Sequence, residues 1–237
     1  SGVLIACSFP GLSLWPLAIV GWLPLLAWVR WQRPTARRAA AMGLLAGTIV
    51  HVAVFHWVAT TMEEMSGLPA VVAIAVLLIY AVALGVHQAV WLGVLAAVGG
   101  SDGGVDQAAW QRLRWPMLAA LLYLAVEVLI PFQFPWFLGN ALYVAPVWLQ
   151  AADLIGVVGV SAACVGVAAL LAEAAPWRRG GRSMAPAAAA GICLLLWWGY
   201  GVTRLATCDV APVHKRWTAA IVQPNPSLAE KRSLRPK

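Results

Sequence analysis

Residues 68–98 read LPAVVAIAVLLIYAVALGVHQAVWLGVLAAV, without a single Asp, Glu, Lys or Arg. A bilayer core about 30 Å thick takes about 20 apolar residues per helix, so this run is long enough to cross. The rest of the chain has the same character. Of its 237 residues, 62% are apolar, 11% are charged and 14 are Trp, with a mean hydropathy of +0.81. Soluble domains hold roughly 45–50% apolar and about 25% charged residues, which excludes a water-soluble globular protein. Four cysteines among long apolar runs exclude a disulfide-stapled secreted domain and a disordered chain.

Working outward from that run, further apolar runs cover residues 14–29, 39–61, 115–130, 154–175 and 185–206. Residues 2–9 form an apolar stub too short to span, ending at Pro10-Gly11, and read as the end of a first helix that lost its beginning. The expectation is an all-α polytopic membrane protein with about seven transmembrane helices, the first one shortened, followed by a short outer-side strand. The domain division is 1–206 for the helical part and 207–237 for the outer segment.

A net charge of +7 would suggest nucleic acid in a soluble protein, but in a membrane protein location decides, and no nucleic-acid partner is expected. Arg30, Arg33, Arg37 and Arg38 lie between the first two full runs, Arg112 and Arg114 before the fourth, and Arg178, Arg179 and Arg182 before the last. The alternate loops, 9–13, 62–67 and 131–153, have no Lys or Arg. This asymmetry places the Arg loops in the cytoplasm and the chain after residue 206 outside.

Loop 131–153, PFQFPWFLGNALYVAPVWLQAAD, is apolar, aromatic and broken by Pro131, Pro135 and Pro146. It reads as interfacial or re-entrant, either holding lipid chains near the headgroup plane or serving as an anchoring aromatic belt. In the tail, residues 217–223 read as a strand ended by Pro224-Asn225-Pro226. A lone strand needs partners on both edges, so it must pair with something outside these residues.

Glu127 sits inside an apolar run, and an intramembrane acid costs about 3 kcal/mol or more, which makes it a candidate for function or for a helix–helix hydrogen bond. Asp153 suits an N-cap. His51, His56 and His87 have no metal-ligand spacing and read as hydrogen-bonded or packing residues. Cys7, Cys164, Cys193 and Cys208 form no C-x-x-C pair. Leu4-Ile5-Ala6-Cys7 is similar to a lipoprotein processing box but lacks the preceding charged and apolar regions. Gly43-x-x-x-Gly47 marks close helix packing. No complete catalytic constellation is visible, and neither a cofactor nor a metal is expected.

The order of these features resembles the membrane half of the apolipoprotein N-acyltransferase family. Phe9-Pro10-Gly11 with Trp15-Pro16-Leu17-Ala18 resembles its opening segment. Gly43 to Val58 resembles its third helix, and Gly67-Leu68-Pro69 the turn after it. Glu127 is similar to the acid of its E-x-x-R-G, Phe134-Pro135-Trp136 to its outer FPW, and Gln150 to Ser161 to its Q-x-A-D-x-x-G-x-x-G-x-S. Ile221-Val222-Gln223-Pro224-Asn225 resembles the first strand of its nitrilase-like domain. Ile130-Pro131 stands where the family has Arg-Gly, and Gln133 where it usually has Gly.

The resemblance implies a bacterial inner-membrane protein. It would admit a phospholipid acyl donor and a diacylglyceryl lipoprotein for N-acylation of the lipoprotein's N-terminal Cys. Substrate contacts fall to Trp136, Phe134, Pro135 and Glu127. In the family a Glu–Lys–Cys triad lies in the nitrilase-like domain, so no catalytic residue is assigned in these 237 residues, which are expected to be inactive alone. The implied partners are membrane lipids, the lipoprotein, and a separate catalytic half or larger membrane complex. Alternative readings are a non-catalytic structural or lipid-binding subunit, a split enzyme, and a transporter.

Overall fold

The computed structural model describes residues 1–99, 109–130, 133–134, 136–174 and 184–208. Every regular element among them is helical. In chain order these are α1 (Gly2–Ala6), α2 (Pro16–Val20), α3 (Leu23–Gln32), α4 (Ala36–Val54), α5 (Trp57–Ser66), α6 (Ala70–Val98) and α7 (Ala109–Leu129). A 3-10 helix (Leu138–Val144) and the short α8 (Pro146–Leu149) then lead to α9 (Ala152–Ala174) and α10 (Met184–Ala206). Four of these, α4, α6, α9 and α10, are long and apolar enough to cross a membrane. The chain is thus a multi-pass membrane domain. The strand expected over residues 217–223 lies outside the described residues.

Several apolar runs are divided where local chemistry interrupts the helix. The run 14–29 is α2 followed by α3, because Pro24 in the first turn of α3 has no N–H to give to the carbonyl of Val20. The run 39–61 breaks at Phe55, whose ψ of 17° leaves the helical range, and the His56 ring takes the Ala53 carbonyl at 2.9 Å. Residues 62–66, expected as a loop, instead complete α5, which ends at Gly67 in the left-handed conformation (φ 65°). Arg37 and Arg38 likewise sit in the first turn of α4, and Arg112 and Arg114 in the first two turns of α7, rather than in loops. Thr35 caps α4 by accepting from the Arg38 N–H.

The tightest helix pair is α4 on α6, where the Gly43-x-x-x-Gly47 expectation holds. A Cβ on Gly43 would lie 2.3 Å from the Gln88 carbonyl oxygen, and one on Gly47 2.9 Å from the Gly85 Cα. Such backbone approach is what drives helix association where lipid removes the hydrophobic incentive. On the other side α9 forms the spine against which α3, α7, α10 and the 3-10 helix pack. Trp22 and Trp91 fill the centre, edge to face at 5.5 Å.

Asp153 is corrected. Rather than capping α9, its carboxylate reaches α10, accepting from Tyr200 Oη–H at 2.7 Å and from Arg204 Nε–H at 2.8 Å. The helix beyond it is interrupted at Gly156 (φ 69°, ψ 168°), a conformation that L side chains avoid.

A buried ion pair ties the opposite end of the bundle. Arg30 of α3 and Glu173 of α9 hydrogen-bond with side chains 5% and 1% exposed. The Arg30 guanidinium also lies 5.5 Å from the Trp115 ring. Trp31 Nε1–H donates to the Ala172 carbonyl at 3.0 Å beside it.

Candidate functional site beneath the FPW loop

The segment after α7 does not lie flat as a belt. Its centre turns inward, burying Leu138, Gly139, Ala141 and Leu142 against α9. Two anchors hold it. The Leu138 N–H donates to Glu127 Oε1 at 3.3 Å, and the Gly139 N–H donates to Ser161 Oγ at 2.9 Å. Gly139 has to be glycine in this packing, since a Cβ there would meet the Val157 carbonyl oxygen at 2.6 Å. Glu127 is 7% exposed, and the Ser161 and Tyr123 hydroxyls lie against its carboxyl group. Of the two roles open to Glu127, the geometry shows a hydrogen bond that positions this loop.

Two residues upstream of Leu138, Trp136 is pulled under the loop and buried. Its ring stands 4.7 Å from Phe9, 4.9 Å from His51 and 6.2 Å from Phe55. Phe134 is 44% exposed and forms the outer layer, 6.0 Å from Trp57 and 6.3 Å from Tyr80. The cluster thus grades from a half-exposed rim (Phe134, Trp57) to a buried floor (Trp136, His51, Phe9). Pro135 lies outside the described residues.

The floor is polar as well as aromatic. His51 Nδ1–H donates to the Gly47 carbonyl at 2.7 Å, which leaves Nε2 as an acceptor facing the cluster. Within the cluster, His51 Nε2, Trp136 Nε1 and Tyr80 Oη have no hydrogen-bond partner among the described residues. Buried polar atoms are nearly always satisfied, so the three within the aromatic cluster point to groups that a ligand or water completes. The set offers an N–H donor, a hydroxyl and an imidazole acceptor beside aromatic faces, which suits the polar end of an amphiphile.

Sequence reasoning named Trp136, Phe134 and Glu127, and the structure brings all three to one end of α7 and its following loop. It missed Phe9, His51, Phe55, Trp57 and Tyr80. The signal available was the i, i+4 spacing of Gly47, His51 and Phe55, which puts them on one face of α4. His56 points away and is exposed, while His87 is buried with Nε2 3.0 Å from the Ile130 carbonyl.

Comparison with known proteins now bears on this arrangement. The family described as apolipoprotein N-acyltransferase N-terminal domain matches residues 1–170, which includes the whole FPW loop and its anchors. The chain belongs to that family. It is 29% identical over 162 residues to an apolipoprotein N-acyltransferase of Geobacter metallireducens, covering 68% of this chain and 29% of that protein. Against the apolipoprotein N-acyltransferase of Bdellovibrio bacteriovorus it is 28% identical over 170 residues, covering 68% of this chain and 28% of that protein. An apolipoprotein N-acyltransferase 2 of Leptospira interrogans is 27% identical over 135 residues, covering 57% of this chain and 21% of that protein. The chain therefore spans under a third of the length of these relatives.

Proposed function

We propose that this apolipoprotein N-acyltransferase N-terminal domain admits lipid-bearing substrates from the membrane and holds their reactive ends at the Trp136 floor. The observation that carries the reading is the inward turn of the FPW loop. It hangs on Glu127 Oε1 and Ser161 Oγ and places unpartnered polar atoms beneath a half-exposed aromatic rim. The substrates are a phospholipid acyl donor and a diacylglyceryl lipoprotein, following the family to which the chain belongs. Lateral entry suits both, because each buried CH₂ keeps about 0.8 kcal/mol by staying in the apolar phase.

The chemistry is a two-step transfer. A thiolate attacks the phospholipid ester carbonyl, the C–O bond breaks, and the lysophospholipid alkoxide leaves and takes a proton. The α-amine of the lipoprotein's N-terminal Cys then attacks the thioester, forming the amide and returning the thiol. The thiolate belongs to the hydrolase-like part of the full protein. No role is given to Cys7, Cys164, Cys193 or Cys208. Within this chain, Trp136, Phe134 and Pro135 contact the substrates, and Glu127 is a positioning residue that acts through Leu138.

In this reading seven helical passes, with α2–α3 and α7 added to the four long helices and the first shortened, cross the bacterial inner membrane. The Arg clusters lie in the cytoplasm and the FPW loop lies outside, in keeping with the arginine asymmetry. The test is acyl transfer by the full-length protein in liposomes. Trp136→Ala is expected to raise KM for the phospholipid about tenfold while saturating kcat falls less, as for a binding anchor. An unchanged KM would remove Trp136 from the site. A protein that binds phospholipid yet transfers no acyl group would favour the non-catalytic lipid-binding subunit instead.

A further inference from the structure

The backbone leaves regular geometry at two places flanking the start of α9. At Ala145, between the 3-10 helix and α8, φ is −125° and ψ is 69°. At Gly156, one turn into α9, φ is 69° and ψ is 168°, a combination that glycine alone holds without strain. A Cβ on Gly156 would find one atom within 4 Å, Val158 Cγ2 at 3.8 Å, so this junction stands in open space. Between the two places, residues 146–155 form one hydrogen-bonded body. The Gln150 N–H and side-chain amide donate to the Pro146 carbonyl, the Asp153 N–H to Gln150, and the Leu154 and Ile155 N–H groups to Ala151.

That body is bolted to α10. Trp197 Nε1–H donates to the Trp148 carbonyl at 2.7 Å, and a Cβ on Gly201 would fall 1.8 Å from the Val147 carbonyl oxygen. Tyr200 and Arg204 close the other end on the Asp153 carboxylate. These bonds run along residues 197–204, about two helical turns, so they fix orientation as well as position. On the opposite flank, Trp148 meets the Trp15 ring at 5.7 Å, a contact that slides more readily than a hydrogen bond. The fixed part of the bundle lies past the two junctions, where the Gly139 N–H on Ser161 Oγ holds the 3-10 helix to the rest of α9. Helix α10 touches α7 little and is the least buried of the four long helices. Pro186 and Ala190, buried near its start, keep that end seated.

We propose that residues 146–155 and the C-terminal half of α10 rock as one rigid unit on the rest of the bundle, pivoting at Ala145 and Gly156. Hinge motion concentrates its φ/ψ change in a few element-terminal residues and leaves the moving bodies intact, which is the division of irregular and bonded backbone seen here. The unit begins where the FPW segment ends, so it is the element through which α10 shifts that segment. The device is a property of the fold and stands whether or not the acyl-transfer reading does.

Electron–electron double resonance on the full-length protein in nanodiscs reads this motion, with nitroxides carried on p-acetylphenylalanine so that every cysteine stays native. Leu154 with Leu195 reports inside the unit, Leu121 of α7 with Leu205 across the pivots, and Leu121 with Ile79 of α6 within the fixed body. All five side chains are exposed. The proposal predicts a within-unit distance distribution as narrow as that of the fixed body, and an across-pivot distribution at least about twice as wide. Gly156→Ala cannot keep the present φ and ψ without strain, so it should shift the across-pivot mean and leave the other two pairs unchanged. Asp153→Ala removes the Tyr200 and Arg204 bonds and should broaden the within-unit distribution. Its side chain is 39% exposed, so this variant carries the test if Gly156→Ala does not fold. An across-pivot distribution as narrow as the fixed body, with a mean unmoved by Gly156→Ala, would overturn the proposal. A wild-type within-unit distribution as broad as the across-pivot one would overturn it equally.

Discussion

Glu127 Oε1 accepts the Leu138 N–H in a buried site, and that bond fixes where Trp136 stands two residues earlier. Glu127→Gln keeps an acceptor oxygen at nearly the same place and should leave the fold intact. Glu127→Ala orphans the buried N–H and should cost about 1–3 kcal/mol, read as a lower unfolding midpoint in nanodiscs. Equal midpoints for the two variants would mean that the loop does not hang on this carboxyl group. The acid itself was legible as a cost in an apolar run, but its partner was not, since a backbone N–H leaves no mark in a sequence. His51 was legible only as a histidine without metal spacing. Its position beside Trp136 depends on how α4 faces the loop, a long-range fact that local pattern does not carry.

At the scale of elements, α4 and α6 meet through glycines where side chains would collide. Gly43→Val should cost about 1–3 kcal/mol or more, because the blocking atom is the Gln88 backbone oxygen rather than a flexible side-chain end. Gly191, with nothing within 4 Å of its Cβ position, is the control and should accept Ala without loss. The buried pair between α3 and α9 makes a sharper prediction. Arg30→Met or Glu173→Leu alone strands a charge and should destabilise by about 3–5 kcal/mol, whereas the double variant should recover most of it. Thermal unfolding of the four proteins checks this, and additive losses would contradict it. The GxxxG contact could be read from spacing, whereas the Arg30–Glu173 pair could not. Arg30 counts among the arginines of its loop by position, and only the α3–α9 packing shows that it is buried.

At the scale of the whole molecule, apolar length marked out the long helices α4, α6, α9 and α10, and their all-helical class follows from that length alone. Breaks within runs were less visible, because Phe55 and His56 interrupt a helix without a proline to announce it. The arginine asymmetry predicts that Cys208, exposed after α10, reacts with a membrane-impermeant maleimide from the outer side of right-side-out vesicles. A cysteine placed at Arg33 should react only from the inner side, and the reverse pattern would invert the topology. The central claim is that the FPW loop and its aromatic floor seat lipid-bearing substrate. Its most direct test is equilibrium binding of a fluorescent diacylglyceryl lipopeptide to the full-length protein in nanodiscs, comparing wild type with the Phe134→Ala/Trp136→Ala double variant. The account predicts binding at least about tenfold weaker in the variant with an unchanged unfolding midpoint; equal affinity in a folded variant would contradict it.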